Sequence, residues 1–368
     1  MTTVYIHIGA PKTATSTLQA ILARKAGKLA KAGVLYPARP RHGDAHHVLV
    51  CDLIEKFQGS RMPDFWYGPF PRGQAWASLR EEIAGQGDDL QSVVISSELF
   101  FGQSRKLRPM LAEIREHLAG HTVKIVAYLR RQDQLYSSFF NQDVKGARQW
   151  ADGPYQFYET HQIFQHNYFE LLNIWGETFG PDNSIVRPYE PAQWLDRDIV
   201  ADFCDATGIP ALKSGSLERN ESLGPNQLYA KQCLNKVGYD KAINDDVLRL
   251  LTRLLPEDPV KDTMYVHAGL YQRYKKAWEE TNSKLSQTYL RGEALFQQAM
   301  PAARDLVPFR VDDAVLTNYL QQTVRQLAHE KSPELQQLFA RAGILMLAER
   351  DLWARLTDEQ RHSLYVWS

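Results

Sequence analysis

The sequence predicts an α/β protein: a mainly parallel central sheet flanked by helices, with a helical extension at the carboxyl end. Short apolar runs at residues 4–8, 93–97, 123–129 and 184–189 have the length and composition of strands. Segments with helical periodicity separate them, and strands that alternate with helices pair in parallel through right-handed crossovers. From about residue 225 onward the pattern is helical.

The first strand runs into a turn rich in hydroxyl groups. Residues 4–8 form the strand, the turn at 11–17 reads Pro-Lys-Thr-Ala-Thr-Ser-Thr, and apolar residues at helical spacing begin at Leu18. The turn therefore lies at a helix N-terminus, where free backbone N–H groups and the helix dipole favour an anion. Lys12 adds a full positive charge, so the segment predicts a phosphate-binding loop.

The spacing of this loop differs from that of ATP and GTP loops. Lys12 follows Gly9 by three positions, whereas the Walker pattern needs Gly, four residues and then Gly-Lys-[Ser/Thr]. The loop instead resembles the 5′-phosphosulfate loop of the sulfotransferases, in which a strand is followed by Pro-Lys-Thr-Gly-Thr-[Ser/Thr]. Ala14 stands where that family usually has glycine, at a cost of about 1 kcal/mol if the turn requires a positive φ. The alternative is an ordinary strand-to-helix turn with Thr and Ser as N-caps.

This resemblance implies a sulfotransferase that uses 3′-phosphoadenosine-5′-phosphosulfate as the sulfuryl donor. Lys12 is then also catalytic, because it neutralises charge on the leaving bridging oxygen. The resemblance implies a reaction that needs no metal and that releases adenosine 3′,5′-bisphosphate. The predicted contacts to the 5′-phosphosulfate come from Pro11, Lys12, Thr13, Ala14, Thr15, Ser16 and Thr17.

A second segment supports this reading. The strand at 123–129 is followed by Arg130 and a helical segment in which Ser138 stands eight residues further on. In sulfotransferases an arginine and a serine at this spacing hold the 3′-phosphate, so the resemblance gives these roles to Arg130 and Ser138. A guanidinium grips phosphate through charge-assisted hydrogen bonds, and a hydroxyl about two helical turns along lies on the same face. Arg131 is expected to be a solvated neighbour.

The strand at 93–97 delivers a carboxylate. Glu98 follows it, at the end of a strand where ligands of open α/β sheets gather. Sulfuryl transfer to an alcohol needs a group that takes the hydroxyl proton, which makes Glu98 the candidate base. Alternatively, Glu98 caps the next segment or forms an ion pair with a nearby arginine.

His46 and His47 offer a competing base, since histidine titrates near neutral pH. Adjacent side chains point apart, so one of the two is expected to face the site. Acceptor binding is the favoured role for His46 or His47, and His46 is also a candidate catalytic residue. No Cys or carboxylate cluster at ligand spacing surrounds them, which argues against a metal site. His7 is read as a satisfied core residue.

Two further segments bear on the ligands. Residues 218–228 resemble the Asn-x-Ser-Leu stretch of bacterial carbohydrate sulfotransferases, which makes Arg219 and Asn220 candidate donor-binding residues; the alternative is that Asn220 or Ser222 caps the next helix. Residues 61–71 are rich in Pro, Gly and aromatics and form a loop that either binds a sugar ring or packs on the surface.

Bulk properties narrow the function class. The 368 residues include 43 basic and 43 acidic side chains, so no net charge drives non-specific nucleic-acid binding. Three widely spaced cysteines argue against a disulfide framework. The sequence has no long apolar run and no signal-peptide layout, which predicts a cytoplasmic protein without a membrane span. The predicted domains are a sulfotransferase-like α/β domain at 1–300 and a helical extension at 301–368.

The sequence thus predicts transfer of a sulfuryl group to an acceptor hydroxyl by in-line displacement. The exposed aromatics and paired histidines favour a carbohydrate or glycolipid acceptor, while a lipid, phenol or small-metabolite acceptor stays open. Two alternatives stay open. One is a kinase or NTPase with an atypical phosphate loop, and the other is a non-catalytic nucleotide-binding protein.

Overall fold

The structure is a computed structural model that describes residues 2–102, 106–160, 167–215, 222–256, 258, 268–306 and 309–368. Its centre is a five-stranded, all-parallel sheet in the order β2-β3-β1-β4-β5. The strands are β1 (Thr3–Gly9), β2 (Val34–Leu35), β3 (Ser92–Ser96), β4 (Thr122–Leu129) and β5 (Ser184–Pro188). The α/β fold expected from the sequence is confirmed.

Four of these strands match the apolar runs in the sequence to within one residue at each end. The exception is β2, which has two residues and pairs only Val34 and Leu35 with β3. Two residues are too few to show an alternating or apolar pattern, so the sequence did not predict this strand.

Helices form much of the rest of the described chain. They are α1 (Thr15–Arg24), α2 (Ala26–Ala30), α3 (His47–Gln58), α4 (Ala75–Ala84), α5 (Leu107–His117), α6 (Gln132–Lys145), α7 (Pro154–Thr160), α8 (Tyr168–Phe179), α9 (Ile199–Thr207), α10 (Pro225–Val237), α11 (Asn244–Leu254), α12 (Ala268–Tyr289), α13 (Asp313–Leu327), α14 (Pro333–Arg350) and α15 (Asp358–Trp367). Short 3₁₀ turns at Asp64–Trp66 and Glu98–Gly102 matter for the site. None of the described helices is long and apolar enough to cross a lipid bilayer.

One face of the sheet is covered by α1 and α9. Tyr5, Val94 and Val126 from the three central strands pack there with apolar residues of both helices, including Leu22 and Phe203. Every second residue of a strand points to the same face, and each of these strands is buried on both faces. This burial explains why the strands read as continuous apolar runs.

The chain forms two compact units that are interleaved in sequence. The first comprises residues 1–132, 163–219 and 275–300 and contains the sheet, and the second comprises 133–162, 220–274 and 301–368. The described α-helices that lie wholly in the second unit are α7, α10, α11, α13, α14 and α15. Residues 301–368 belong to this unit, and the predicted division into domains 1–300 and 301–368 stays a prediction.

Candidate functional site

The carboxyl ends of three neighbouring strands carry the candidate residues of the first unit. Strand β1 lies between β3 and β4 in the sheet. Its end leads into the loop with Lys12, while β3 leads to Glu98 and β4 to Arg130. Crossovers that leave a parallel sheet in opposite directions from neighbouring strands open a crevice at this edge, which is where ligands of such sheets bind.

The loop after β1 has an unusual backbone. Both Lys12 and Ala14 adopt left-handed conformations, with φ values of 66° and 57°. The backbone N–H of Ala10 donates to the Tyr128 carbonyl at 2.7 Å, and the Thr13 hydroxyl donates to the Ala10 carbonyl at 2.5 Å. The Thr13 side chain therefore closes the loop on itself, and α1 begins directly afterwards at Thr15.

Ala14 is the N-cap residue of α1, and its methyl group cannot accept a hydrogen bond. The sequence also allowed an ordinary turn in which Thr or Ser caps this helix. The residue at the N-cap position is instead Ala14, and no side chain caps the helix there. The first turn of α1 carries Thr15, Ser16 and Thr17. This end of the helix combines its dipole with three hydroxyls.

Arg130 lies beside this loop. Its Nη1 donates to the Lys12 carbonyl at 3.2 Å, and its guanidinium carbon lies 5.3 Å from the centre of the Tyr189 ring. The Arg130 carbonyl accepts a hydrogen bond of 2.6 Å from the Tyr168 hydroxyl. The two segments that the sequence assigned to the two ends of one nucleotide are thus adjacent.

The other predicted donor-binding residues are distributed differently. Ser138 lies in α6, is partly buried, and belongs to the second unit. Arg219 and Asn220 lie outside the described residues. Arg131, expected to be solvated, is 7% exposed and donates through Nη1 to the carbonyls of Gln298 and Ala299, so that expectation is wrong.

Glu98 lies close to Gly9, where the loop after β1 begins. Gly9 has a φ of 89°, and a Cβ added there would lie 3.0 Å from the Glu98 Cβ. A side chain at position 9 would therefore push the loop away from the carboxylate. Glycine at this position satisfies both the backbone conformation and the close approach of the two strand ends.

A buried glutamine orients the carboxylate. The Gln19 amide donates to Glu98 Oε2 at 2.9 Å and to the Ser96 hydroxyl at 3.2 Å, and the Ser96 oxygen lies 2.8 Å from Nδ1 of His7. Gln19 is only 4% exposed. Sequence reasoning missed it, although its helical neighbours Thr15 and Leu22 are buried, which marks position 19 as facing inward.

His47 lies on the other side of Glu98. Its Nε2 is 3.9 Å from Glu98 Oε1, and its Nδ1 is 2.8 Å from the Ser97 hydroxyl. Burial lowers the pKa of His47, and the nearby Glu98 carboxylate opposes that shift. In the tautomer whose Nδ1 accepts from the Ser97 hydroxyl, the proton of His47 is on Nε2, the ring nitrogen on the side of the carboxylate.

The placement of His46 disagrees with its assignment as a catalytic residue. The ring is fully buried, accepts a hydrogen bond at Nδ1 from the Ser96 backbone N–H at 3.1 Å, and lies 3.0 Å from the Pro37 carbonyl through Nε2. Burial lowers its pKa to about 3. Both ring nitrogens serve the backbone, so His46 clamps the end of β3 next to Glu98 instead of facing a ligand.

His7 is a core residue, as predicted, but only one of its ring nitrogens is satisfied. Its Nδ1 pairs with Ser96, whereas the buried Nε2 has no hydrogen-bond partner among the described residues. Burial lowers its pKa to about 3. Within the described part of the chain, no group of three or more His, Cys, Asp or Glu side chains is arranged to hold a metal ion.

Comparisons with known proteins add one distant relative. An uncharacterized protein of Archaeoglobus fulgidus is 24% identical over 271 residues, which is 71% of this chain and 72% of that protein. No protein-family model matches this chain. No solved structure matches it either.

Proposed function

We propose that this protein is a sulfotransferase that moves a sulfuryl group from 3′-phosphoadenosine-5′-phosphosulfate to an acceptor hydroxyl. The observation that carries the proposal is the meeting of three features at one edge of the sheet. These are the loop with Lys12, the Arg130 guanidinium and the Glu98 carboxylate. Their order along the chain and their spacing resemble those of the sulfotransferases.

The residues present fit the donor. The left-handed backbone at Lys12 and Ala14 turns the loop into the first turn of α1, whose N–H groups and hydroxyls suit the 5′-phosphosulfate. Arg130, fixed at the Lys12 carbonyl, is assigned the 3′-phosphate. Ser138 is assigned to the same phosphate from its position in the sequence alone.

The proposed reaction is a single in-line displacement. Glu98 accepts the acceptor's hydroxyl proton while the acceptor oxygen forms a bond to sulfur. The bond between sulfur and the bridging oxygen breaks, and its electron pair leaves with adenosine 3′,5′-bisphosphate. Lys12 stabilises the charge that develops on that bridging oxygen. The products are a sulfate ester, the bisphosphate and a protonated Glu98.

Gln19 and His47 support Glu98 as the base in place of His46. Gln19 donates to one carboxylate oxygen at 2.9 Å, which leaves the other, Oε1, on the side of His47. A base whose orientation is set by a buried amide lies ready for the proton that it takes. His47 is the partner that stabilises the carboxylate, or relays its proton to solvent after transfer.

An aromatic row beside Glu98 supports a carbohydrate acceptor. Phe65 is 65% exposed, its ring centre lies 4.8 Å from that of Trp66, and Trp66 lies 4.8 Å from His47 in turn. Exposed aromatic rings bind the apolar faces of sugar rings. The hydroxyls at the edge of a sugar bound in this way stay free to react. The row ends next to the base, so a sugar on it would present a hydroxyl to Glu98.

We assign this activity to the cytoplasm. Cys51, Cys204 and Cys233 are all buried free thiols, which suits a reducing compartment. The equal numbers of basic and acidic residues give no reason to expect a nucleic-acid partner.

Calorimetric titration tests the donor assignment. Adenosine 3′,5′-bisphosphate should bind without magnesium and more tightly than ATP with magnesium. Lys12→Ala and Arg130→Ala should each weaken it by about tenfold to several hundredfold, as expected for loss of a charge-assisted contact. The exposed Lys31 and Arg39 supply matched controls, Lys31→Ala and Arg39→Ala, which should bind like the wild type. Preference for magnesium ATP would instead support phosphoryl transfer.

Transfer of labelled sulfate tests the base. With an accepted oligosaccharide, Glu98→Gln should lower kcat by about 10² to 10⁴ and leave bisphosphate affinity unchanged, because the amide cannot take the proton. Glu81, 72% exposed, provides the matched control Glu81→Gln. Wild-type turnover by Glu98→Gln would remove Glu98 from the mechanism, and bisphosphate binding without transfer to any acceptor would favour a non-catalytic binding protein.

A further inference from the structure

The loop before α3 carries a cation that the proposed reaction does not use. Arg41 is partly buried, its guanidinium carbon lies 5.4 Å from the centre of the Tyr36 ring, and its Nη1 is buried without a hydrogen-bond partner among the described residues. None of the ion pairs formed by the described residues includes Arg41. A partly buried guanidinium without a counterion carries a desolvation cost that an anion would offset.

Arg41 lies on the acceptor side of the site. The Tyr36 ring that it covers packs edge-on against His46 at 4.7 Å, and His46 holds the end of β3 that precedes Glu98. Burial raises the pKa of the Tyr36 phenol, the Arg41 charge lowers it, and the charges of Asp44 and Glu98 raise it. The Arg41 and Glu98 charges therefore act on the same phenol.

The same loop contacts the aromatic row. His42 packs against Gly68 so closely that no Cβ fits at that position, and Gly68 follows Phe65 and Trp66 in the sequence. The His42 charge also lowers the pKa of His47. Arg41, His42 and His47 thus bring three basic groups to a rim that includes the aromatic row and the carboxylates of Glu98 and Asp44.

We infer that the acceptor is an acidic carbohydrate and that Arg41 recognises its carboxylate. This inference rests on the proposed sulfotransferase function, because it assigns the substrate class of that site. A planar carboxylate pairs with a guanidinium through two parallel hydrogen bonds, which a neutral hydroxymethyl group cannot form. A sugar ring on Phe65 and Trp66 would then carry its acidic group toward Arg41 and a hydroxyl toward Glu98.

Calorimetry with two matched oligosaccharides tests this inference. A β-1,4-linked oligomer of glucuronic acid and a β-1,4-linked oligomer of glucose of equal length differ only in carboxylate against hydroxymethyl. In the presence of adenosine 3′,5′-bisphosphate, the wild type should bind the acidic oligomer at least tenfold more tightly. Arg41→Gln should remove that preference by weakening the acidic oligomer alone, and Arg41→Lys should restore part of it. Arg39→Gln, two residues away on an exposed side chain, should behave like the wild type.

The outcomes separate this inference from the proposed function. Equal binding of both oligomers by the wild type would overturn the inference. An equal loss of affinity for both oligomers in Arg41→Gln would also overturn it, as would a loss of bisphosphate affinity in that variant. Tighter binding of a 6-O-sulfated glucose oligomer than of the glucuronic acid oligomer would overturn the carboxylate assignment. Failure of bisphosphate to bind the wild type would instead count against the proposed function. If Arg41→Gln does not fold, the wild-type preference and Arg41→Lys still decide the matter.

Discussion

At the scale of single residues, the loop after β1 holds an alanine in a conformation that suits glycine. Ala14 has φ 57° and ψ 30° at the N-cap of α1. A left-handed backbone costs an L-residue roughly 1–2 kcal/mol because the Cβ approaches the following carbonyl oxygen. The rest of the loop holds Ala14 in this conformation, so the protein is less stable than it would be with glycine at this position.

We predict that Ala14→Gly stabilises the protein. The gain should be about 1 kcal/mol, since relief of the left-handed strain exceeds the added entropy of glycine in the unfolded chain. Ala20→Gly, within the regular part of α1, is the matched control and should cost about 1 kcal/mol. Urea unfolding measures both. Equal destabilisation by the two glycines would mean that the backbone at Ala14 is not strained.

Acid should destabilise the protein through His46. Burial lowers its pKa from 6.5 to about 3, so the unfolded chain binds more protons than the folded chain between these pH values. Stability is therefore intact above pH 6.5 and is lost as the pH falls toward 3. From pH 7 to pH 4.5 this residue should remove about 2–3 kcal/mol of unfolding free energy.

Urea unfolding of the wild type and of His46→Gln over this pH range tests the prediction. The variant should be less stable at pH 7, because it loses contacts to Ser96 and Pro37, but its stability should depend less steeply on pH. Parallel pH dependences would mean that the pKa of His46 in the folded protein is not lowered. That result would also reopen its assignment as a base.

At the scale of elements, the site depends on how closely strand ends and helices approach. Gly9 lets the end of β1 pass the Glu98 backbone, and Gln19 from α1 reaches across to the carboxylate. Neither contact is local in sequence. The geometry of the candidate base is thus set by the packing of α1 against the sheet.

The second unit offers a test of the same close-packing argument. A Cβ on Gly343 of α14 would lie 3.3 Å from Leu320 of α13 and 3.2 Å from Leu364 of α15. We predict that Gly343→Val costs about 1–3 kcal/mol through overpacking. Ala348→Val, at an exposed position of α14, has the same β-branched side chain and should cost less than about 1 kcal/mol in urea unfolding. Equal costs would point to helix propensity instead of packing.

At the scale of the whole molecule, net neutrality means that any affinity for anions must be local. The proposed donor site lies at one edge of the sheet, so a bound ligand should stabilise the strands that form it. Adenosine 3′,5′-bisphosphate at 100 times its Kd should add about 2.7 kcal/mol to the unfolding free energy. Hydrogen exchange of amides in β1, β3 and β4 measures this effect.

Lys12→Ala supplies the comparison for this prediction. At the same bisphosphate concentration its strand amides should gain much less protection, because weaker binding lowers the linked stabilisation. Lys31→Ala should respond like the wild type. Equal protection in Lys12→Ala and the wild type would place the bisphosphate away from the loop.

The sequence by itself determined the fold class and the segments of the site. Continuous apolar runs marked four of the five strands, and their ends carried Lys12, Glu98 and Arg130. These features are visible because strand length, apolar composition and the residues that follow a strand are local properties of the chain. The two-residue β2 and the burial of Arg131 had no such signal.

Only the tertiary structure decided which side chains surround the carboxylate. Adjacent histidines look equivalent in sequence, yet helix α3 begins so that His46 is buried against the backbone while His47 faces Glu98. Gln19 gained its carboxylate neighbour, Glu98, from a strand end 79 positions away along the chain. Burial and long-range contacts arise when the helices pack on the sheet, and that packing is the physical reason why local patterns could not reveal them.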